Sequence, residues 1–114
     1  MVVDGAMYMA DQRLRWREKE FQDAIVAAYV GTMRRPVPNC WKAYHSYFSD
    51  RSEAGFPDLV LVRERVVFVE LKTMKGTISP KQREWYDALI AGGAEAYIWR
   101  PDAWNSGEIE AALR

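Results

Sequence analysis

The stretch that decides the fold is Gly55-Phe56-Pro57-Asp58-Leu59-Val60-Leu61-Val62-Arg63-Glu64-Arg65-Val66-Val67-Phe68-Val69-Glu70-Leu71-Lys72. It consists of two apolar runs joined by a charged connector. Side chains alternate faces along a strand, which puts Asp58, Val60 and Val62 on one side of the first run and Val66, Phe68, Glu70 and Lys72 on one side of the second. If Arg63, Glu64 and Arg65 form a three-residue hairpin loop, Val62 pairs with Val66, Val60 with Phe68 and Asp58 with Glu70. A loop of different length shifts the pairing, and a slip of one residue turns the apolar set to the wrong side.

Directly opposed side chains lie roughly 5 Å apart at Cβ, where like charges repel. A cation between Asp58 and Glu70 relieves that repulsion. Two close carboxylates suit a hard divalent ion such as Mg²⁺ or Mn²⁺, which keeps several waters and shares its site with phosphate oxygens. Lys72 follows on the side of Glu70. Metal, water and ammonium on one patch are the parts needed for metal-assisted hydrolysis of a phosphodiester.

Length and composition bound the rest. A chain of 114 residues, 49% hydrophobic and 28% charged, is expected to fold as one domain over residues 1–114 with an ordinary core. No apolar run reaches the roughly 20 residues of a membrane span, and residues 1–10 lack the pattern of a secretory signal, so a cytoplasmic protein is expected, without membrane partners. One cysteine, Cys40, excludes an internal disulfide and a cysteine-based zinc site; it is expected to be a small buried apolar residue. Sixteen basic residues balance sixteen acidic ones, so the net charge does not announce a nucleic-acid binder. Basic residues gather at Arg13, Arg15, Arg17 and Lys19, at Arg34 and Arg35, and at Lys72, Lys75, Lys81 and Arg83. Solvated helix faces of mixed charge account for each cluster singly about as well.

Apolar residues at helical spacing, from Leu14 through Phe21, Ala24, Ile25 and Ala28 to Tyr29, predict one long helix over residues 11–30. A loop with Pro36 and Pro38 and a strand over residues 40–45 come before the hairpin. Ser79-Pro80-Lys81-Gln82 is a helix start, with Ser79 as N-cap, Pro80 at the first position and Gln82 completing a capping box. That helix should end at Gly92 or Gly93. Residues 94–100 read as a last strand closed by Pro101, and Ser106 caps a short helix through Leu113. The order is α-β-β-β-α-β-α, with the strands on either side of the Ser79 helix parallel in a mixed sheet.

With Pro57-Asp58 and Glu70-Leu71-Lys72 on two strands behind an acidic helix, the chain resembles the PD-(D/E)xK nuclease superfamily. Gly55-Phe56-Pro57-Asp58-Leu59-Val60, Glu70-Leu71-Lys72 and Ser79-Pro80-Lys81-Gln82-Arg83-Glu84-Trp85, in that order and spacing, are similar to its VRR-NUC branch. The similarity runs over residues 18–104. It implies a restriction-endonuclease-like mixed β-sheet flanked by helices, and a divalent-metal-dependent DNA endonuclease of the stand-alone type found in bacteria and phages. Such proteins are similar to Holliday-junction resolvases, act on branched or structured DNA and are commonly homodimers. The resemblance implies that Asp58, Glu70 and the Leu71 backbone carbonyl bind Mg²⁺ or Mn²⁺, and that Lys72 positions or deprotonates water and stabilises the transition state. It also implies a helix carboxylate, at Glu18 or Glu20, and a role for Gln82 near the scissile phosphate. Glu18 is favoured because it lies one turn before Gln22, on the side away from Phe21 and Ile25; it is expected to reach the metal through water.

Each assignment has a plainer alternative. Asp58 serves equally as a turn residue after Pro57, Lys72 as a charge that discourages edge pairing, and Gln82 as a capping residue alone. Glu70 between Val69 and Leu71 is harder to explain structurally, because an unpaired buried carboxylate is expensive. His45 ends a strand near the site, but a lone histidine is more often a structural hydrogen-bonding residue. Most of the tryptophans and tyrosines belong to the core by spacing, although stacking on splayed bases is an alternative. The polar residues 47–53 precede the metal strand and suit phosphate contact. A catalytically idle or partner-dependent DNA-binding scaffold is the competing function.

Overall fold

A computed structural model of the chain describes residues 5–31, 36–46 and 53–114. Along the chain run α1 (Gly5–Arg13), α2 (Glu18–Tyr29), β1 (Lys42–His45), β2 (Leu59–Val62), β3 (Val66–Leu71), α3 (Pro80–Ala91), β4 (Glu95–Trp99), α4 (Pro101–Asn105) and α5 (Glu108–Leu113). The strands form one sheet in the order β1-β2-β3-β4. β1, β2 and β3 are antiparallel neighbours and β4 joins β3 in parallel. This is a mixed sheet flanked by helices, of restriction-endonuclease-like form. Among the described residues, no helix is long and apolar enough to cross a membrane.

The hairpin register follows from the apolar alternation. Val62 faces Val66, and Val60 faces Phe68, as the three-residue loop requires. Leu59, Leu61, Val67, Val69 and Leu71 are buried together under Phe21 and Ile25 of α2 and Ile109 and Leu113 of α5. The alternate residues meet a second apolar group, in which the Phe56 ring packs edge-on against Phe68 and against Trp85 of α3, with centroids 6.2 and 5.1 Å apart. Helices therefore cover both faces of the strands that carry the site.

The structure corrects two parts of the sequence reading of the elements. The expected helix over residues 11–30 is two helices, broken by a turn at Leu14 and Arg15 and by Arg17 in an extended conformation. Trp16 turns inward there, stacking on Phe21 and meeting Trp104 edge-on, while Leu14 stays exposed and contributes no apolar stripe linking the two segments. The C-terminal end is also two helices: Pro101 starts α4 as well as closing β4, and Gly107 with φ +83° caps α5, while the Ser106 hydroxyl accepts from the Glu108 N–H at 3.3 Å. A third correction concerns Cys40, which is exposed. Trp41, the next residue along an extended segment, takes the buried position instead.

Candidate active site

Four segments converge at the C-terminal end of β3. Asp58 stands one residue before β2, and its Oδ2 accepts the Leu71 N–H at 2.8 Å. Continuing the ladder one step past Leu59–Val69 sets Asp58 against Glu70, the opposition expected from the sequence. Ser46, just beyond β1, fixes this start of β2 from the other side. Its N–H donates to the Asp58 carbonyl and its hydroxyl to the Pro57 carbonyl, each at 3.0 Å.

Glu70 and Lys72 are buried, at 5% and 7% relative exposure. Burial first, and then the adjoining Asp58 carboxylate, push Glu70 up to about 9, against a smaller opposing pull from Lys72. Glu70 therefore keeps a proton at neutral pH unless a cation takes its place. Lys72 Nζ lies 4.0 Å from Glu70 Oε1 and 3.7 Å from Glu18 Oε1. The ammonium thus joins the strand carboxyl to the first residue of α2.

The two helix carboxylates have different partners in space. Glu20 Oε1 accepts from Arg17 Nε at 2.7 Å and from the Arg17 backbone N–H at 3.4 Å, so Glu20 closes the start of α2. That bonding holds it below the ordinary carboxylate range, the Arg17 side chain contributing most. Glu18 is the one that reaches Lys72. One turn on, Gln22 Nε2 and His45 Nδ1 lie 3.0 Å apart, which ties α2 to β1 beside Leu59, the residue paired with His45.

Gln82 caps α3 and contacts Glu70 at once. Its Oε1 accepts the Ser79 N–H at 2.9 Å and its backbone N–H donates to Ser79 Oγ at 3.2 Å, completing the capping box. Its remaining amide group, Nε2, donates to Glu70 Oε1 at 2.9 Å. The helix start and the site carboxyl are locked by one side chain.

Three further residues shape the site, of which Arg100 went unread in the sequence. Gly55 has φ +86°, and a Cβ there would lie 2.5 Å from the Lys81 carbonyl carbon, so only glycine lets the Phe56-Pro57-Asp58 turn rest on α3. Arg100 Nη1 donates to the carbonyls of Thr73 at 2.6 Å and Gly76 at 2.7 Å, pinning the loop after Lys72. Gly76 closes that loop, where a Cβ would come 2.9 Å from Thr73 Oγ1 and 3.6 Å from Lys72 Cδ. Positive φ at Gly55 was signalled by Gly-Phe-Pro; nothing in the local pattern signals Arg100, whose partners are remote in sequence. Arg34, Arg35 and residues 47–52 of the polar segment expected to meet DNA lie outside the described residues.

The donor chemistry fits a hard cation. Among the described residues, no group of three or more His, Cys, Asp or Glu side chains is arranged to hold a metal ion. Asp58 and Glu70 nonetheless form an acid pair in which repulsion is relieved by a proton or by a divalent ion, and the Leu71 peptide lies against Asp58.

The VRR-NUC domain family model matches residues 9–102 of the chain. A solved structure titled VRR_NUC domain protein superposes with a TM-score of 0.58 at 22% sequence identity, covering 75% of this chain and 78% of that one. No curated protein matches. The structural likeness concerns the fold.

Proposed function

The chain belongs to the VRR-NUC domain family, whose members are nuclease domains acting on DNA, and we propose that it is a divalent-metal-dependent endonuclease selective for branched DNA. The observation that carries this reading is the placement of Lys72 Nζ between Glu18 and a buried Glu70 that is itself held by Gln82. A structural salt bridge needs neither the burial of Glu70 beside a second carboxylate nor the glutamine that orients it.

In this reading Asp58, Glu70 and the Leu71 carbonyl would hold Mg²⁺ or Mn²⁺, with Glu18 contributing through water. Bound there, the ion supplies a Lewis acid for the phosphate and lowers the pKa of water. Gln82 keeps Glu70 in one orientation through Nε2. Lys72 offers N–H donors that orient the attacking water and offset the charge developing on the phosphoryl oxygens. The water oxygen bonds to phosphorus in line as the bond to the 3′ oxygen breaks; the attacking water gives up its proton to solvent, and solvent returns one to the leaving oxygen. A phage-type, resolvase-like homodimer places two such sites on one branched substrate.

The test is cleavage of labelled four-way junction, flap, single-stranded and duplex DNA in Mg²⁺, Mn²⁺ or EDTA. Cutting of the branched substrates ahead of the duplex, abolished by EDTA, is the expected result. If the pure protein cuts none of them in Mn²⁺, the partner-dependent scaffold takes precedence.

A further inference from the structure

Resting on that nuclease reading, we propose that the DNA backbone reaches the site over the rim made by loop residues 73–76 and the start of α3, with Lys75 and Lys81 as its phosphate contacts. The sequence offers several basic clusters, and the structure divides them by what each charge already touches. On α1 and α2, Arg15 pairs with Asp11 at 3.4 Å, Arg17 with Glu20 at 2.7 Å and Lys19 with Asp23 at 3.0 Å. Three of the four charges of that cluster are thus paired with a neighbouring carboxylate, and Arg13 donates to the Asn105 side-chain oxygen at 3.2 Å. Arg63 and Arg65 are held by Glu64 and lie over the Trp41 ring, and Arg83 is shared between Asp87 and the ring of Tyr86.

Lys75 and Lys81 are exposed, and no acidic side chain among the described residues pairs with either. Lys42 likewise has no acidic partner among the described residues, but it stands opposite Val62 at the hairpin end of the sheet, at the far end of β2 from Asp58. Lys75 follows Lys72 by three residues, and Lys81 immediately precedes Gln82, which bonds Glu70. The two free charges therefore flank the acid pair on the side of α3.

Both lysines rise from fixed backbone. Arg100 spends its guanidinium on the carbonyls of Thr73 and Gly76, and the Gly76 N–H closes the turn onto the Thr73 carbonyl at 3.3 Å. The Lys81 backbone is in contact with Gly55 and sits in the capped first turn of α3. A charge on a preset backbone loses less entropy on meeting a phosphate than one on a mobile loop. Neutral net charge overall then costs little affinity, because the charge that matters is concentrated at the rim.

The measurement is the salt dependence of binding, by fluorescence anisotropy of a labelled duplex and a four-way junction in Ca²⁺, over about 50 to 200 mM salt. Replacing both lysines, Lys75→Gln with Lys81→Gln, should lower the slope of log K against log salt on duplex by about 1.8, since each phosphate contact contributes about 0.9. Lys19→Gln, which removes a charge already paired, should leave the slope unchanged. A slope that the double variant does not move, or that Lys19→Gln moves equally, overturns this route while leaving the nuclease reading intact. If the wild type binds neither DNA, the nuclease reading fails and the route with it.

Discussion

Glu70 links stability to chemistry at the scale of a single residue. Its carboxyl sits near 4.5 when unperturbed and at about 9 in the fold, so between those values the folded chain holds a proton that the unfolded chain has released. Stability from this group is complete below about 4.5 and is lost as pH rises toward 9. Urea unfolding of cation-free protein should therefore show falling stability across that window, and Glu70→Gln should remove the fall, gaining about 1 kcal/mol or more at pH 8. Mn²⁺ should raise the Tm of the wild type at pH 8 in a concentration-dependent way and should do so far less for Asp58→Asn. The acid pair was legible in the sequence because strand period and loop length together fix the register. The orientation of Glu70 by Gln82 and the pairing of Gln22 with His45 depend on side-chain reach between segments, which period does not record. His45 has the structural partner that its solitary place in the sequence suggested, in Gln22.

Among the elements, α3 was the most legible, because its boundaries are local chemistry. Ser79, Pro80 and Gln82 start it, and Gly92 caps its end. Ser79→Ala should cost about 1 kcal/mol, the usual value of an N-cap, while Glu70 keeps its Gln82 partner. Gln82→Ala should cost a similar amount and also lower cleavage, because Glu70 loses its orienting donor; comparing denaturation with turnover in the two variants separates capping from catalysis. Gly55→Ala should be far worse, since it forces a left-handed conformation and sets a Cβ 2.5 Å from backbone that cannot give way. Loss of cooperative unfolding, or a drop of more than about 2 kcal/mol, is expected. The break between α1 and α2 was not legible. It carries no glycine or proline, and Trp16 turns inward to meet Trp104, 88 residues away by number (104 − 16). Cys40 was misplaced for a related reason: only the packing of Trp41 settles which of two neighbours faces inward.

At the scale of the whole molecule, the C-terminal helix is fastened to the hairpin at the opposite end of β2 and β3 from the site. Trp41 Nε1 donates to the Leu113 carbonyl at 3.1 Å, Arg63 Nη2 to the Arg114 carbonyl at 2.8 Å, and Arg65 to the Ala112 carbonyl. The two arginines lie 4.4 and 5.0 Å from the centroid of the Trp41 ring. The hairpin loop, read as a polar connector, is thus also the clamp that satisfies the last carbonyls of α5. Trp41→Phe keeps most of the ring packing but removes one buried hydrogen bond, and calorimetry should show a loss of about 1 to 3 kcal/mol with cleavage of the surviving folded protein unchanged. The parallel direction of β3 and β4 was readable from the strand-helix-strand pattern, whereas the clamp joins residues too far apart in sequence for any pattern to reveal.

The central claim is that Lys72, between Glu18 and Glu70, serves phosphodiester hydrolysis rather than folding alone. It is tested most directly by Lys72→Met in the Mn²⁺-dependent junction cleavage assay, with Mn²⁺-induced thermal stabilisation measured on the same sample. The account predicts cleavage reduced by at least about 100-fold in a folded protein that still responds to Mn²⁺. A folded Lys72→Met protein that cuts within a few-fold of the wild type would contradict it.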